Sequence, residues 1–136
     1  MKKISFDFDG CLNDHFDGEN NPNKEGIRTL LKELYESEDF EVYIITRRFG
    51  PERPTEGKGN EFVEVIELLK NLNIVLPQEK IIFTNREYKY STVHKLGIDI
   101  HIDDEERERD LINKFTKGSA VDATNQNWRK KFDELL

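Results

Sequence analysis

The chain has 136 residues, a formal charge of −7 and a hydrophobic share of 35%, a size that suits one ordinary domain with a single core. The negative balance argues against an extended surface for nucleic-acid phosphates, which takes many clustered Lys and Arg. No run approaches the roughly 20 apolar residues of a membrane span, the start MKKISFDFDG does not read as a secretory signal, and the lone Cys11 permits neither an internal disulfide nor a multi-cysteine metal site, so a cytoplasmic location is expected.

Residues 3–8 (KISFDF) alternate apolar and polar ahead of Gly10, which predicts a strand breaking into a loop just after Asp7 and Asp9. The stretch 13–23, rich in Asn, Asp, Gly and Pro, reads as loop and leads into an amphipathic helix carried by Ile27, Leu30, Leu31, Leu34 and Tyr35. A second, largely apolar strand at 40–46 (FEVYIIT) ends on Thr46, and an irregular Gly- and Pro-rich loop follows over 47–60. A helix at about 60–72, with Phe62, Val65, Ile66, Leu69 and Leu72 on one face, passes Pro77 to reach a third strand at 80–84. Residues 87–96 predict a short helix closed by Gly97, and 98–102 (IDIHI) a fourth strand running into Asp103 and Asp104. A helix near 105–115, a short fifth strand at 119–122 and a C-terminal helix through Trp128, Phe132 and Leu135 complete the chain. The acidic stretches 32–39 and 104–110 read as solvated helix faces.

Strands alternating with helices predict an α/β fold: a single Rossmann-like three-layer α/β/α domain around a mostly parallel sheet. Ligands in such sheets bind at the carboxyl ends of the strands. Asp7, Asp9, Thr46, Asp103 and Asp104 all fall at those predicted ends, so parallel pairing gathers them at one edge of the sheet. Converging carboxylates repel one another unless a pKa shifts or a hard cation binds among them, and magnesium suits oxygen ligands that share it with a phosphate. One aspartate can then attack a phosphoryl group while a second, two residues on, serves as acid and base. Thr46 is suited to a phosphate oxygen, and a nearby lysine to the charge of nucleophile and phosphoryl group.

The run Asp7-Phe8-Asp9-Gly10-Cys11-Leu12 resembles the first motif of phosphatases of the haloacid dehalogenase superfamily, Ile44-Ile45-Thr46 the second, and Ile100-His101-Ile102-Asp103-Asp104 the fourth, in the family's order and spacing. The resemblance implies Asp7 as nucleophile, Asp9 as general acid and base, and Thr46 as phosphate ligand. It further implies a magnesium ion held by Asp7, the main-chain carbonyl of Asp9 and Asp103, with Asp104 close by. The family's third motif is a lysine at the start of the helix before the last motif strand. Lys89 fits that place, Lys95 is a rival later in the helix, and Lys80 lies at the wrong end of its strand.

Arg47 and Arg48 follow Thr46 directly, and Arg47 is a candidate for holding an anionic substrate. Cys11 reads as a small packing residue, and His15, His94 and His101 form no recognisable ligand set, with His101 on a strand face. Little chain separates Leu12 from Thr46, so no substantial cap is expected, and loops 13–23 and 47–60 are the material available to cover the site. Such an open site suits a large phosphorylated substrate, a cleft closed by a partner subunit in an oligomer, or small phosphomonoesters. The similarity to small nucleotidase-like members implies a nucleotide 5′-phosphate or similar small substrate. The competing reading is a phosphoacceptor or binding module of the same fold without significant turnover.

Overall fold

The computed structural model describes residues 1–136. The apolar runs at Val42–Thr46 and Ile100–Asp103 are buried throughout, the pattern of strands covered on both faces. They belong to β2 (Phe40–Thr46) and β4 (Ile100–Asp103), which flank β1 (Lys2–Phe6); β3 (Ile81–Phe83) and β5 (Ser119–Asp122) form the edges. All neighbouring pairs are parallel, in the order β3-β2-β1-β4-β5, so the expected mostly parallel sheet is parallel throughout.

Helices α1 (Lys24–Glu36), α2 (Phe62–Asn71) and α5 (Trp128–Leu135) cover one face. Their Ile27, Leu31, Val65, Leu69 and Phe132 pack with Ile4, Phe6, Ile44 and Ile102 in the main core. Helices α3 (Tyr90–Leu96) and α4 (Glu106–Phe115) cover the other face, where Val93 and Ile112 meet Tyr43, Ile45 and Ile98. Phe6, at the centre of the larger cluster, is fully buried, and truncation to Ala there costs about 3–5 kcal/mol. The order of connections reverses between β1 and β4, which opens a crevice beyond the carboxyl ends of those strands. No helix is long and apolar enough to cross a membrane.

Several boundaries differ from the expectation. The first strand stops at Phe6, because the chain turns through Phe8–Leu12 with Gly10 at φ +74°, although the Asp7 N–H still donates to Ile102 at 2.9 Å. A side chain at Gly10 would run into the Asp104 carboxylate, so glycine is needed here both for its backbone angle and for close approach. The fourth strand begins at Ile100, since Asp99 turns its carboxylate to the Lys3 N–H. The short helix starts at Tyr90 after a turn in which Asn85 and Arg86 both take left-handed angles.

Ile66, expected on the buried face of its helix, is exposed, lining an open apolar hollow with Phe62 and the edge strand β3. Glu108 is the exception to the solvated reading of 104–110: Glu105, Glu106, Arg107 and Asp110 are exposed, but Glu108 is fully buried and accepts from the Lys89 N–H at 3.0 Å. No further domain is inserted between β1 and β2 or after β2; the connecting segments are α1, α2 and loops.

Candidate functional site

At the carboxyl edge of the sheet a cavity of about 290 Å³ is lined by residues that include Asp7, Asp9, Thr46, Lys89, Asp104, Arg47, Arg48 and Arg86. Asp7 leaves β1 as its last sheet-bonded residue, Thr46 ends β2 and Asp103 ends β4. Parallel register alone therefore delivers three of the site residues to one place. Lys89 comes from the residue just before α3. Its buried ammonium donates to Asp7 Oδ1 at 2.7 Å and to Asp103 Oδ2 at 2.6 Å. Lys95, the rival, is exposed and makes no ion pair, and Lys80 lies beside Tyr43 at the start of β3.

The electrostatics of this floor follow from burial and crowding. Burial, and then the charge of Asp103, push the Asp7 carboxyl well above its ordinary range despite Lys89. Burial acts on Asp103 in the same sense but is outweighed by Lys89 and a hydrogen bond from His101, which hold it below that range. For Lys89, burial favours loss of the proton, yet Asp103, Asp7 and Glu108 together raise its pKa and keep it an ammonium. Asp104 is raised, chiefly by burial, and pairs with His15 at 3.1 Å.

Asp7, Asp103 and Asp104 each offer an oxygen, and these oxygens lie within 4.8 Å of one another. Three hard donors from adjacent carboxylates, two of them pushed toward protonation by burial and mutual repulsion, match what a divalent cation such as Mg²⁺ takes. The Asp9 carboxylate stands outside this group. Arg48 holds it with two bonds, Nε to Oδ2 at 2.9 Å and Nη2 to Oδ1 at 2.8 Å. The metal role expected for Asp9 concerned its main-chain carbonyl, which this pairing leaves free. Thr46 is buried on the cavity wall, its hydroxyl oxygen accepting from the Arg48 N–H at 3.3 Å. Arg47 reaches the rim, where it meets Glu105 at 3.3 Å and donates twice to the carbonyl of Arg86.

Several participants escaped the sequence reading. His101 is buried, and its Nε2 lies 2.8 Å from Asp103 while Nδ1 lies 2.6 Å from the Ser5 hydroxyl. Burial lowers its pKa, so the network assigns a neutral ring that donates to Asp103 and accepts from Ser5. Glu108 anchors the Lys89 main chain with one oxygen, while its other has no hydrogen-bond partner and faces Arg47 Nε at 3.8 Å. Phe16, from loop 13–23, stands between the cations of loop 47–60 and Arg86, with the Lys58 ammonium 4.0 Å above its ring. The two loops thus meet over one side of the cavity as shaped, bonded segments. Cys11 packs in the main core with its thiol directed to the Ile102 carbonyl, and burial raises its pKa well above the ordinary value, which suits packing and not nucleophilic attack. His94 is exposed on α3.

Compared with known proteins, the chain matches no family model, and no curated protein matches it.

Proposed function

We propose that the protein is a magnesium-dependent phosphomonoester hydrolase of the haloacid dehalogenase type, acting through an aspartyl-phosphate at Asp7 on a small phosphorylated substrate such as a nucleotide. The observation that carries this reading is the Asp7 carboxylate at the floor of a cavity lined by cations, bonded to the Lys89 ammonium and one oxygen's reach from Asp103 and Asp104. Asp7, Asp103 and Asp104 are the residues to hold Mg²⁺. When bound, the ion supplies charge neutralisation for the phosphoryl oxygens and orients them for in-line attack.

Asp7 attacks phosphorus through a carboxylate oxygen, forming the acyl-phosphate bond as the bond from phosphorus to the leaving oxygen breaks. Asp9 gives its proton to that leaving oxygen, then takes a proton from water as the water attacks the phosphoryl group, releasing inorganic phosphate and restoring Asp7. Lys89 offsets charge on nucleophile and phosphoryl oxygens, and the Thr46 hydroxyl offers a hydrogen bond to the latter. At rest both Asp9 oxygens accept from Arg48, so acid–base work requires Asp9 to leave at least one of these contacts as substrate enters and to take from solvent the proton it passes to the leaving oxygen.

The test is phosphate release from p-nitrophenyl phosphate, nucleoside monophosphates and sugar phosphates, with and without magnesium, for the wild type and Asp7→Asn. Release that needs magnesium and disappears in the variant supports the reading. Absence of release from every compound favours the module without turnover.

A further inference from the structure

Resting on the phosphatase reading, we propose that Arg47 and Arg86 form a second anion site at the cavity mouth, and that the substrate is a phosphomonoester whose leaving group carries a further phosphate or carboxylate. Floor and mouth are distinct. The Asp7 and Lys89 side chains are 7% and 2% exposed, whereas those of Arg47 and Arg86 are 32% and 38% exposed on the same cavity. A ligand whose phosphoryl group sits at the floor therefore brings its remaining atoms past these two guanidinium groups.

The two residues are cross-bonded, side chain to main chain in both directions. Arg47 donates through Nε and Nη2 to the Arg86 carbonyl at 3.2 and 2.8 Å, and Arg86 donates back through Nη1 to the Arg47 carbonyl at 3.1 Å. Buried Glu61 grips Arg86 through both oxygens at 2.8 and 2.7 Å. Arg47 stacks on Tyr88 at 4.9 Å and Arg86 on Phe49 at 4.5 Å, so each plane is fixed by an aromatic ring. Arg86 achieves this from φ +75°, a region that long side chains rarely adopt and that is retained where surroundings over-determine it.

Both arginines line the cavity, and each has donors left over after its own carboxylate is served. Arg48 is spent on Asp9, and Glu61 answers only Arg86. Arg47 has Glu105, 48% exposed and at 3.3 Å, together with the unbonded Glu108 oxygen at 3.8 Å. Arg86 Nε–H and one N–H on each of Arg86 Nη2 and Arg47 Nη2 have no acceptor of their own, while Arg47 Nη1 reaches both oxygens of Glu105. An uncharged leaving group covering these donors would strip their water without replacing its hydrogen bonds. An anionic group supplies charge-assisted bonds in the fork geometry that arginine favours.

The experiment compares kcat/KM within two substrate pairs, adenosine 3′,5′-bisphosphate against adenosine 5′-monophosphate, and 3-phosphoglycerate against glycerol 3-phosphate. The first pair reports a second phosphate, the second a carboxylate. Wild type is expected to prefer the doubly anionic member of at least one pair by about 10- to 100-fold, the worth of a charged hydrogen-bonded contact. Arg47→Gln and Arg86→Lys are each expected to reduce that ratio to roughly threefold or less. Cleavage of p-nitrophenyl phosphate with no preference in either pair, or a preference both variants retain, overturns the second site and leaves the phosphatase reading standing. If wild type cleaves nothing, that reading fails instead, and calorimetric titration of inorganic pyrophosphate decides the site. Binding that Arg47→Gln weakens at least about tenfold supports it; equal or absent binding overturns it.

Discussion

The floor of the cavity and its mouth are built in different ways. At the floor, Asp7, Lys89 and Asp103 are placed by strand ends and the start of a helix, are buried, and satisfy one another's charge within a few ångströms. At the mouth, Arg47, Arg86, Glu61 and Phe16 come from loops and are held by side-chain forks and cation–aromatic stacking. The floor depends on the topology of the sheet; the mouth depends on contacts that can change without disturbing it. In α/β proteins this separation lets one reaction centre serve many ligands.

Removing the central cation of the floor should have the largest effect. Lys89→Met leaves Asp7 and Asp103 buried together without their ammonium, and chemical denaturation should show a loss of about 3–5 kcal/mol. Magnesium should restore part of that loss by binding the freed carboxylates. A loss under about 1 kcal/mol would mean that the pair is not the keystone its geometry implies.

A smaller effect is expected at the mouth. Glu61→Gln retains the shape but weakens four hydrogen bonds, from Arg86, Phe49 and Lys58, and a cost of about 1–2 kcal/mol is expected from denaturant midpoints. Hydrogen bonds from Arg86 lower the Glu61 carboxyl from 4.5 to about 2. Because the folded value is depressed, its stabilisation is complete above pH 4.5 and is lost as pH falls through about 2. Stability measured across that window should decline less steeply in Glu61→Gln than in the wild type. An identical slope would remove Glu61 from the acid response. Lys95→Ala should do least, within about 0.5 kcal/mol and about twofold in turnover, since the side chain is exposed and unpaired.

How much of this could be read from the chain follows the same division. Asp7, Thr46, Asp103 and Asp104 were legible because each ends an apolar run, and parallel strands carry such ends to one edge. Lys89 was legible only through the motif resemblance, which asks for a lysine at the start of a helix, and its main-chain bond to Glu108 gave no signal in the chain. Glu108 itself hides among the charged residues of 104–110, where nothing marks one glutamate as buried. His101 was placed on its strand, but its bonds to Ser5 and Asp103 depend on the register of β1 and β4. Arg86 and Phe16 gave no local signal: the first adopts an angle its residue type disfavours, and the second lies in a polar loop. Ile66 misled because helical periodicity does not reveal which apolar positions beside an edge strand stay uncovered.

The central claim is that Asp7 becomes phosphorylated. Protein mixed with substrate and magnesium, quenched in acid within a single turnover and reduced with borohydride, should yield homoserine at position 7 on peptide mass analysis, and Asp7→Asn should yield none. Substrate turnover with no label at position 7, or with a label at another aspartate, would contradict the account.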